Sequence, residues 1–305
     1  MAQPLLLRLH AKSTALRVDV VAPEWVAPVM RRMPEVDDVI VAPFRHGELQ
    51  LRERWRMGRA LRSAGYDQAI VLPNSWKSAL LPFFADIPLR SGYVGESRYG
   101  LLNLLYRKTA GESMPVHYAR LSEAPGTPVP SPLPEPRLQA TAEEIDAARR
   151  RFGLAQHYAV LAPGAEYGPA KRWPYFEALS KQIAMEKAIL GSSKDLEATR
   201  GLRGTNLAGK TTLDEAIALI AGARYVVCND SGLMHVAAAL GRPQVALFGS
   251  SSPRHTPPLS GAARVLWLQV ECSPCFQREC PLGHFRCMRE MTVEMVRQEI
   301  ENLAP

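Results

Sequence analysis

Six prolines, at positions 125, 128, 130, 132, 134 and 136, constrain this chain more than any other feature. Each fixes its own φ and lacks an amide donor, so the stretch forms neither helix nor central strand and reads as an extended, semi-rigid connector. A chain of 305 residues that is 47% hydrophobic has material for two cores of roughly 150 residues each. The connector over 125–137 therefore predicts one domain over 1–124 and another over 138–305. The last helix, about Thr292 to Leu303, is expected to close the chain by packing back on the first domain.

Both halves alternate apolar strands with helices. In the first, strands over Arg17 to Ala22, Asp38 to Ala42 and Asp67 to Leu72 each stop at a proline: Pro23, Pro43 and Pro73. In the second, strands over Tyr158 to Ala162, Ala188 to Leu190, Tyr225 to Cys228 and Gln244 to Phe248 alternate with helices. Thr141-Ala142-Glu143-Glu144 and Thr212-Leu213-Asp214-Glu215 both carry capping-box spacing. The pattern predicts an α/β protein with parallel sheets covered on both faces, as two doubly wound, Rossmann-like domains facing one another across a cleft. The start of the chain departs from it. Residues Gln3 to Ala11 read as the helix that follows a first strand and its turn, the alternative being that residues 4 to 9 are themselves a strand.

Three strand-to-helix turns carry candidate chemistry. Asn229 to His235 joins Tyr225-Val226-Val227-Cys228 to an alanine-rich helix. There Gly232 permits close approach, Ser231 or Asp230 caps the helix, and free first-turn amides face outward as an anion site that His235, one turn on, also reaches. An ordinary capped turn is the competing reading. The second turn, Pro163 to Pro174, places Lys171 and Arg172 just outside a helix whose first position is read as Pro174. Two cations beside the Gly164 loop suit a diphosphate, and a surface charge pair is the alternative. In the third, Gly191 to Asp195, Ser193 and Asp195 can accept from ribose hydroxyls.

A net charge of +7 favours anionic partners, but the arginines are scattered on helical faces rather than grouped for nucleic acid, so no nucleic-acid partner is expected. No apolar run approaches the roughly 20 residues that span a bilayer, and the first residues lack the basic leader of a signal peptide. A cytoplasmic protein is expected, with peripheral contact at the inner membrane through charge and through Trp76, Phe83 and Phe84. Cys272, Cys275, Cys280 and Cys287, with His284 among them, have the density of a zinc site. Four thiols packing in a compact loop is the competing reading, and no metal is assigned. Cys228 reads as a small buried hydrophobe.

The Pro163 to Pro174 loop, the Asn229 to His235 turn and Leu72-Pro73-Asn74-Ser75-Trp76-Lys77-Ser78-Ala79-Leu80 together resemble the lipopolysaccharide heptosyltransferase II family, ADP-heptose transferases of glycosyltransferase family 9. The resemblance covers nearly the whole chain. It implies a GT-B fold and cofactor-free, inverting transfer of L-glycero-D-manno-heptose from ADP-heptose to the first heptose of the Kdo-lipid A inner core. Donor contacts are implied at Gly164, Glu166, Lys171, Ser193, Asp195, Thr211, Asp230, Ser231, Gly232 and His235, with Lys171 stabilising the leaving group. Acceptor contacts are implied at Asn74, Ser75, Lys77, Arg98 and Tyr99.

Members of the family begin with a strand and a Gly-Asp turn whose aspartate is the proposed general base. No such segment is found here, and Asp19, Glu24 and Glu96 do not stand in an equivalent turn. No base is assigned, and weak ADP-sugar binding and slow transfer are expected of the chain as written. Two other readings stay open: a non-catalytic nucleotide-sugar-binding protein, and another GT-B enzyme such as a nucleotide-sugar epimerase.

Overall fold

The computed structural model describes residues 1–305 other than Thr14, His46, Ala304 and Pro305. The chain divides into two compact units. One comprises Ala2–Arg31 and Glu35–Pro134, and the other Met1, Arg32–Pro34 and Glu135–Pro305. The main division thus falls inside the proline connector.

The first unit opens with α1 (Gln3–Lys12), so the helical reading of this segment holds. It continues through β1 (Asp19–Pro23), α2 (Ala27–Arg31), β2 (Asp38–Ala42), α3 (Leu51–Leu61), β3 (Gln68–Val71), α4 (Trp76–Phe84), β4 (Leu89–Tyr93), β5 (Leu104–Tyr106) and α5 (Met114–Ala119). All its strand pairs are parallel, but they form two sheets, β1-β2 and β3-β4-β5. Pro23 lies inside β1, in register with Ala42 at the strand end, where the missing amide costs no ladder bond. Helix α1 is tied down over its C-terminal half, where Arg8 and Lys12, one turn apart, both pair with Glu123. Burial works upward on that carboxyl, but the bonds from Arg8, Lys12 and Ser122 outweigh it and hold its pKa down at about 2.

The second unit runs α6 (Ala142–Arg151), β6 (Tyr158–Ala162), α7 (Phe176–Gln182), β7 (Glu186–Ile189), β8 (Thr205–Asn206), α8 (Leu213–Gly222), β9 (Val226–Asn229), α9 (Gly232–Ala239), β10 (Gln244–Phe248), β11 (Ala263–Trp267), α10 (Arg286–Arg289) and α11 (Val293–Glu301). Thr141 and Glu144 form the capping box of α6, and Thr212 and Glu215 that of α8, as their spacing predicts. The six strands are parallel and ordered β11-β10-β9-β6-β7-β8. Renumbered from β6, this is the doubly wound order 3-2-1-4-5-6, which reverses direction between β6 and β9. Ligands bind such sheets in the crevice at the carboxyl ends of the two strands flanking the reversal. Those ends are Ala162-Pro163-Gly164 and Cys228-Asn229-Asp230.

Strands β6, β9 and β10 are buried along their whole length, which is why they read as unbroken apolar runs. Cys228 is fully buried in β9, and burial pushes its thiol up. The core packs Leu161, Ile189, Val227 and Leu247 of the sheet against Trp173, Phe176, Leu179, Met288 and Val296. One expectation is corrected here. Helix α7 starts at Phe176 rather than Pro174, because Pro169–Lys171 first closes a 3-10 turn. Helix α11 packs on α7, β10 and β11, where Val296 joins the core beneath that sheet.

Candidate active site

At the switch point, two polar side chains from β9 and the residue after it are drawn into the protein. Asn229, fully buried, donates to the Pro163 carbonyl (2.7 Å) and accepts from the Trp173 amide (3.2 Å), pinning both ends of the 163–173 loop. Asp230, also buried, accepts on one oxygen from Lys171 Nζ (2.5 Å) and from Ser251 Oγ (2.6 Å). Lys171 further lies over the Tyr167 ring, 4.7 Å from its centroid. The ammonium is thus held between a carboxylate and a π face, in a setting where charge interactions are stronger than in water.

The loop bearing Lys171 is clamped from outside by residues 276–278. Tyr167 Oη donates to the Phe276 carbonyl and the Ala170 amide donates to the Arg278 carbonyl (3.0 Å). Gly168 sits at φ +148°, and a Cβ there would lie 2.4 Å from the Arg278 carbonyl oxygen, so only glycine fits.

Ser231 is the N-cap residue of α9 by conformation, yet its side chain makes no capping bond. That corrects the expectation of a side-chain cap and leaves the first-turn amides without that partner, as an anion site requires. A Cβ at Gly232 would point into open space, so the chain's own packing does not demand glycine there. His235, one turn on, is half-buried, and burial pushes its pKa down to about 4. At neutral pH it is an uncharged hydrogen-bonding group rather than a cation.

Asp195 is put to a different use from the one expected. Its Oδ2 accepts from the amide and the hydroxyl of Ser192 (2.9 and 2.7 Å), closing a capping box. The carboxylate also lies where a Cβ on Gly164 would be, 2.4 to 2.7 Å away, so Gly164 lets the two turns approach. Ser193 is exposed beside it. Glu166 pairs with Lys194 (2.7 Å) on the surface, and half-buried Thr211 lies one residue ahead of the α8 cap.

In the other unit, Asn74, Ser75 and Lys77 lie where β3 gives way to α4, as expected. Arg98 is the correction. It is 1% exposed, and its guanidinium donates to the carbonyls of Pro73 (2.6 Å) and Tyr93 and to Asn74 Oδ1 (3.3 Å). It is a strut beneath this turn, drawn inward because the turn's carbonyls need donors. Glu96, at φ 43°, accepts from the Trp76 amide (2.7 Å) at the start of α4. Tyr99 is 66% exposed. Of the other acids weighed, Asp19 accepts from Tyr66 Oη (2.6 Å) and Glu24 is exposed.

Cys272, Cys275, Cys280 and Cys287 line one small cavity with His284 and Phe285. All are free thiols, and among the described residues no group of three or more His, Cys, Asp or Glu is arranged to hold a metal ion. Burial would raise the Cys280 thiol, but backbone amides of Phe285, Leu282, His284 and Gly283 outweigh it and hold the thiol below its usual range. This loop also supplies Phe276 and Arg278, so in the structure it acts as a scaffold against the Lys171 loop. Ser251 and Arg278 are the site residues the sequence reading missed, and Asn229, read there only as the start of the turn, owes its role likewise to partners distant along the chain.

The model of glycosyltransferase family 9 (heptosyltransferase) matches residues 54–286. The chain is similar to lipopolysaccharide heptosyltransferase 2 of Salmonella typhimurium and of Escherichia coli, each 42% identical over 327 residues, covering 99% of this chain and 94% of theirs. It is also similar to lipooligosaccharide heptosyltransferase 2 of Haemophilus ducreyi, at 40% identity over 99% of this chain and 95% of that one. Among solved structures it matches E. coli ADP-heptose LPS heptosyltransferase II with a TM-score of 0.88 and 39% identity, covering 99% of this chain and 93% of that one. A family 9 structure from Veillonella parvula, 21% identical with a TM-score of 0.82, agrees in fold.

Proposed function

Because the chain belongs to glycosyltransferase family 9 (heptosyltransferase), an enzyme family of GT-B fold, we propose that it moves L-glycero-D-manno-heptose from ADP-heptose to the first heptose of the lipopolysaccharide inner core, heptosyl-Kdo2-lipid A. Full-length similarity to heptosyltransferases supports this reading over a nucleotide-sugar epimerase or a non-catalytic binding protein.

The observation that carries the reading is the cluster of Lys171, Asp230 and Ser251 at the switch point, beside the uncapped start of α9. A diphosphate seated on the amides of Gly232 and Leu233 competes with Asp230 for Lys171, and the ammonium then meets the charge that develops as ADP departs. Asp230 and Tyr167 hold the lysine in place beforehand, so little reorganisation is left for the moment of reaction. Neutral His235 donates to a phosphate oxygen or sugar hydroxyl. Leaving-group charge is met by these groups, so the reading assigns no cofactor. In the other unit, Asn74, Ser75, Lys77 and Tyr99 contact the acceptor while Arg98 holds their turn. The enzyme works in the cytoplasm, in peripheral contact with the membrane that holds its acceptor.

The test is release of ADP and formation of a diheptosylated product from ADP-heptose and heptosyl-Kdo2-lipid A. ADP release that does not depend on the acceptor would count against the reading, as would transfer that survives Lys171→Ala at the parent rate.

A further inference from the structure

We propose that the outward face of α3 docks the protein on an anionic membrane leaflet through Arg52, Arg56, Arg59 and Trp55. This rests on the reading that the acceptor is lipid-linked, and adds to it a surface that takes no part in the chemistry.

The inner face of α3 fixes what the outer face presents. Gly58 lies so close to α4 that a Cβ there would come 2.6 Å from Phe84 Cβ. Arg54, buried, donates to the carbonyls of Leu49 (2.6 Å) and Lys77 (3.2 Å) and stacks over Phe44. The helix is therefore clamped, and it is bonded to the first turn of α4, next to the proposed acceptor residues. On the opposite side Arg52, Arg56 and Arg59 fall at i, i+4 and i+7, one exposed stripe. Leu51 and Trp55, one turn apart beside it, are 46% and 54% exposed.

The neighbouring charges are accounted for. Arg62 pairs with Asp86 (3.1 Å) and Arg45 with Glu48 (3.3 Å), and Glu53 is the one carboxylate on α3 itself. Among the described residues, Arg52, Arg56 and Arg59 have no carboxylate partner. Unpaired arginines flanked by an exposed tryptophan suit a surface with phosphate headgroups above and hydrocarbon beneath, since Trp seats at that boundary while the guanidinium groups bind phosphate. Charge complementarity thus selects an anionic leaflet over a second copy of this chain, whose matching face would carry the same charge.

The experiment uses the full chain, sedimented with vesicles of phosphatidylcholine alone or mixed with phosphatidylglycerol, at low and high salt. The parent should bind the anionic vesicles at low salt and not the neutral ones. Arg52→Gln/Arg56→Gln/Arg59→Gln should weaken that binding at least about tenfold, and Trp55→Ser should weaken it at both salts, while turnover on a short, water-soluble heptosyl-Kdo acceptor stays at the parent value in each. These positions are exposed, so the variants should unfold at the parent temperature. Equal binding by the triple variant overturns the proposal. So does tighter binding of single-stranded RNA than of vesicles, or a change from dimer to monomer in the triple variant, which would make the face a contact between copies. If the parent binds vesicles yet transfers heptose to no acceptor, the functional reading fails and the docking surface stands.

Discussion

The two units use polar groups in opposite ways. In the second, strands buried end to end deliver Asn229 and Asp230 into the protein, where each is committed to partners, and Lys171 is held by them before any substrate arrives. In the first, strands are only partly covered, and the candidate residues stand on the surface of a turn held by one buried arginine. In the proposed function, donor chemistry develops charge in a fixed field, and an acceptor presented from a lipid surface is met from outside.

The sharpest way to break this contrast is Lys171→Ala. Turnover should fall about a hundredfold or more as read by ADP release, and urea unfolding should show a loss of about 3 kcal/mol, because buried Asp230 is left without its cation. Next comes Arg98→Ala, which leaves the carbonyls of Pro73 and Tyr93 without their donor. It should cost about 2 kcal/mol of stability and raise the acceptor KM, leaving ADP affinity intact by calorimetry. If it weakened ADP binding as much as Lys171→Ala does, the division of labour would fail.

Smaller effects sharpen the comparison. Ser251→Ala removes one of the two bonds to Asp230 and should tighten its hold on Lys171, lowering kcat about fivefold. The smallest effect is His235→Gln. The His235 pKa lies near 4 in the fold against an ordinary 6.5, so as pH falls from 6.5 to 4 the unfolded chain takes up a proton that the folded one refuses, and stability is lost. The variant should lack about 1 kcal/mol of that loss in unfolding curves across the window. An unchanged slope would show that the imidazole is better solvated than its burial implies.

Legibility in the sequence followed the same line. Strands β6 and β10 were readable to the residue because burial on both faces writes itself as an apolar run. Strand β4 was not, because Ser91 and Gly92 interrupt it, with Gly92 admitting Leu102 and the Val71 carbonyl at 3.0 Å. Lys171 and Asp230 could be named from turn chemistry, but their bond spans 59 residues and Ser251 joins from 21 away. Asp195 was within reach of local reasoning. Ser192 and Asp195 share the i, i+3 spacing of Thr141 and Glu144, and that signal points to a cap rather than to a ribose. Arg98 was not, since a charged loop residue is ordinarily solvated and only its distant carbonyl partners draw it inside.

Arg32 belongs, with Met33 and Pro34, to the C-terminal unit although it lies in the N-terminal third of the chain. It is buried, donating to Glu144 (2.9 Å), to Asp214 (3.0 Å) and to the Gln139 carbonyl (3.0 Å), while its own carbonyl accepts from the Gln139 amide. The two halves are therefore not interchangeable cassettes. A gene cut at the proline connector delivers a C-terminal fragment without the guanidinium that joins α6 to the start of α8. Any recombination that exchanges one half for a relative's must carry residues 32–34 with the half to which they belong by packing, not by position in the reading frame.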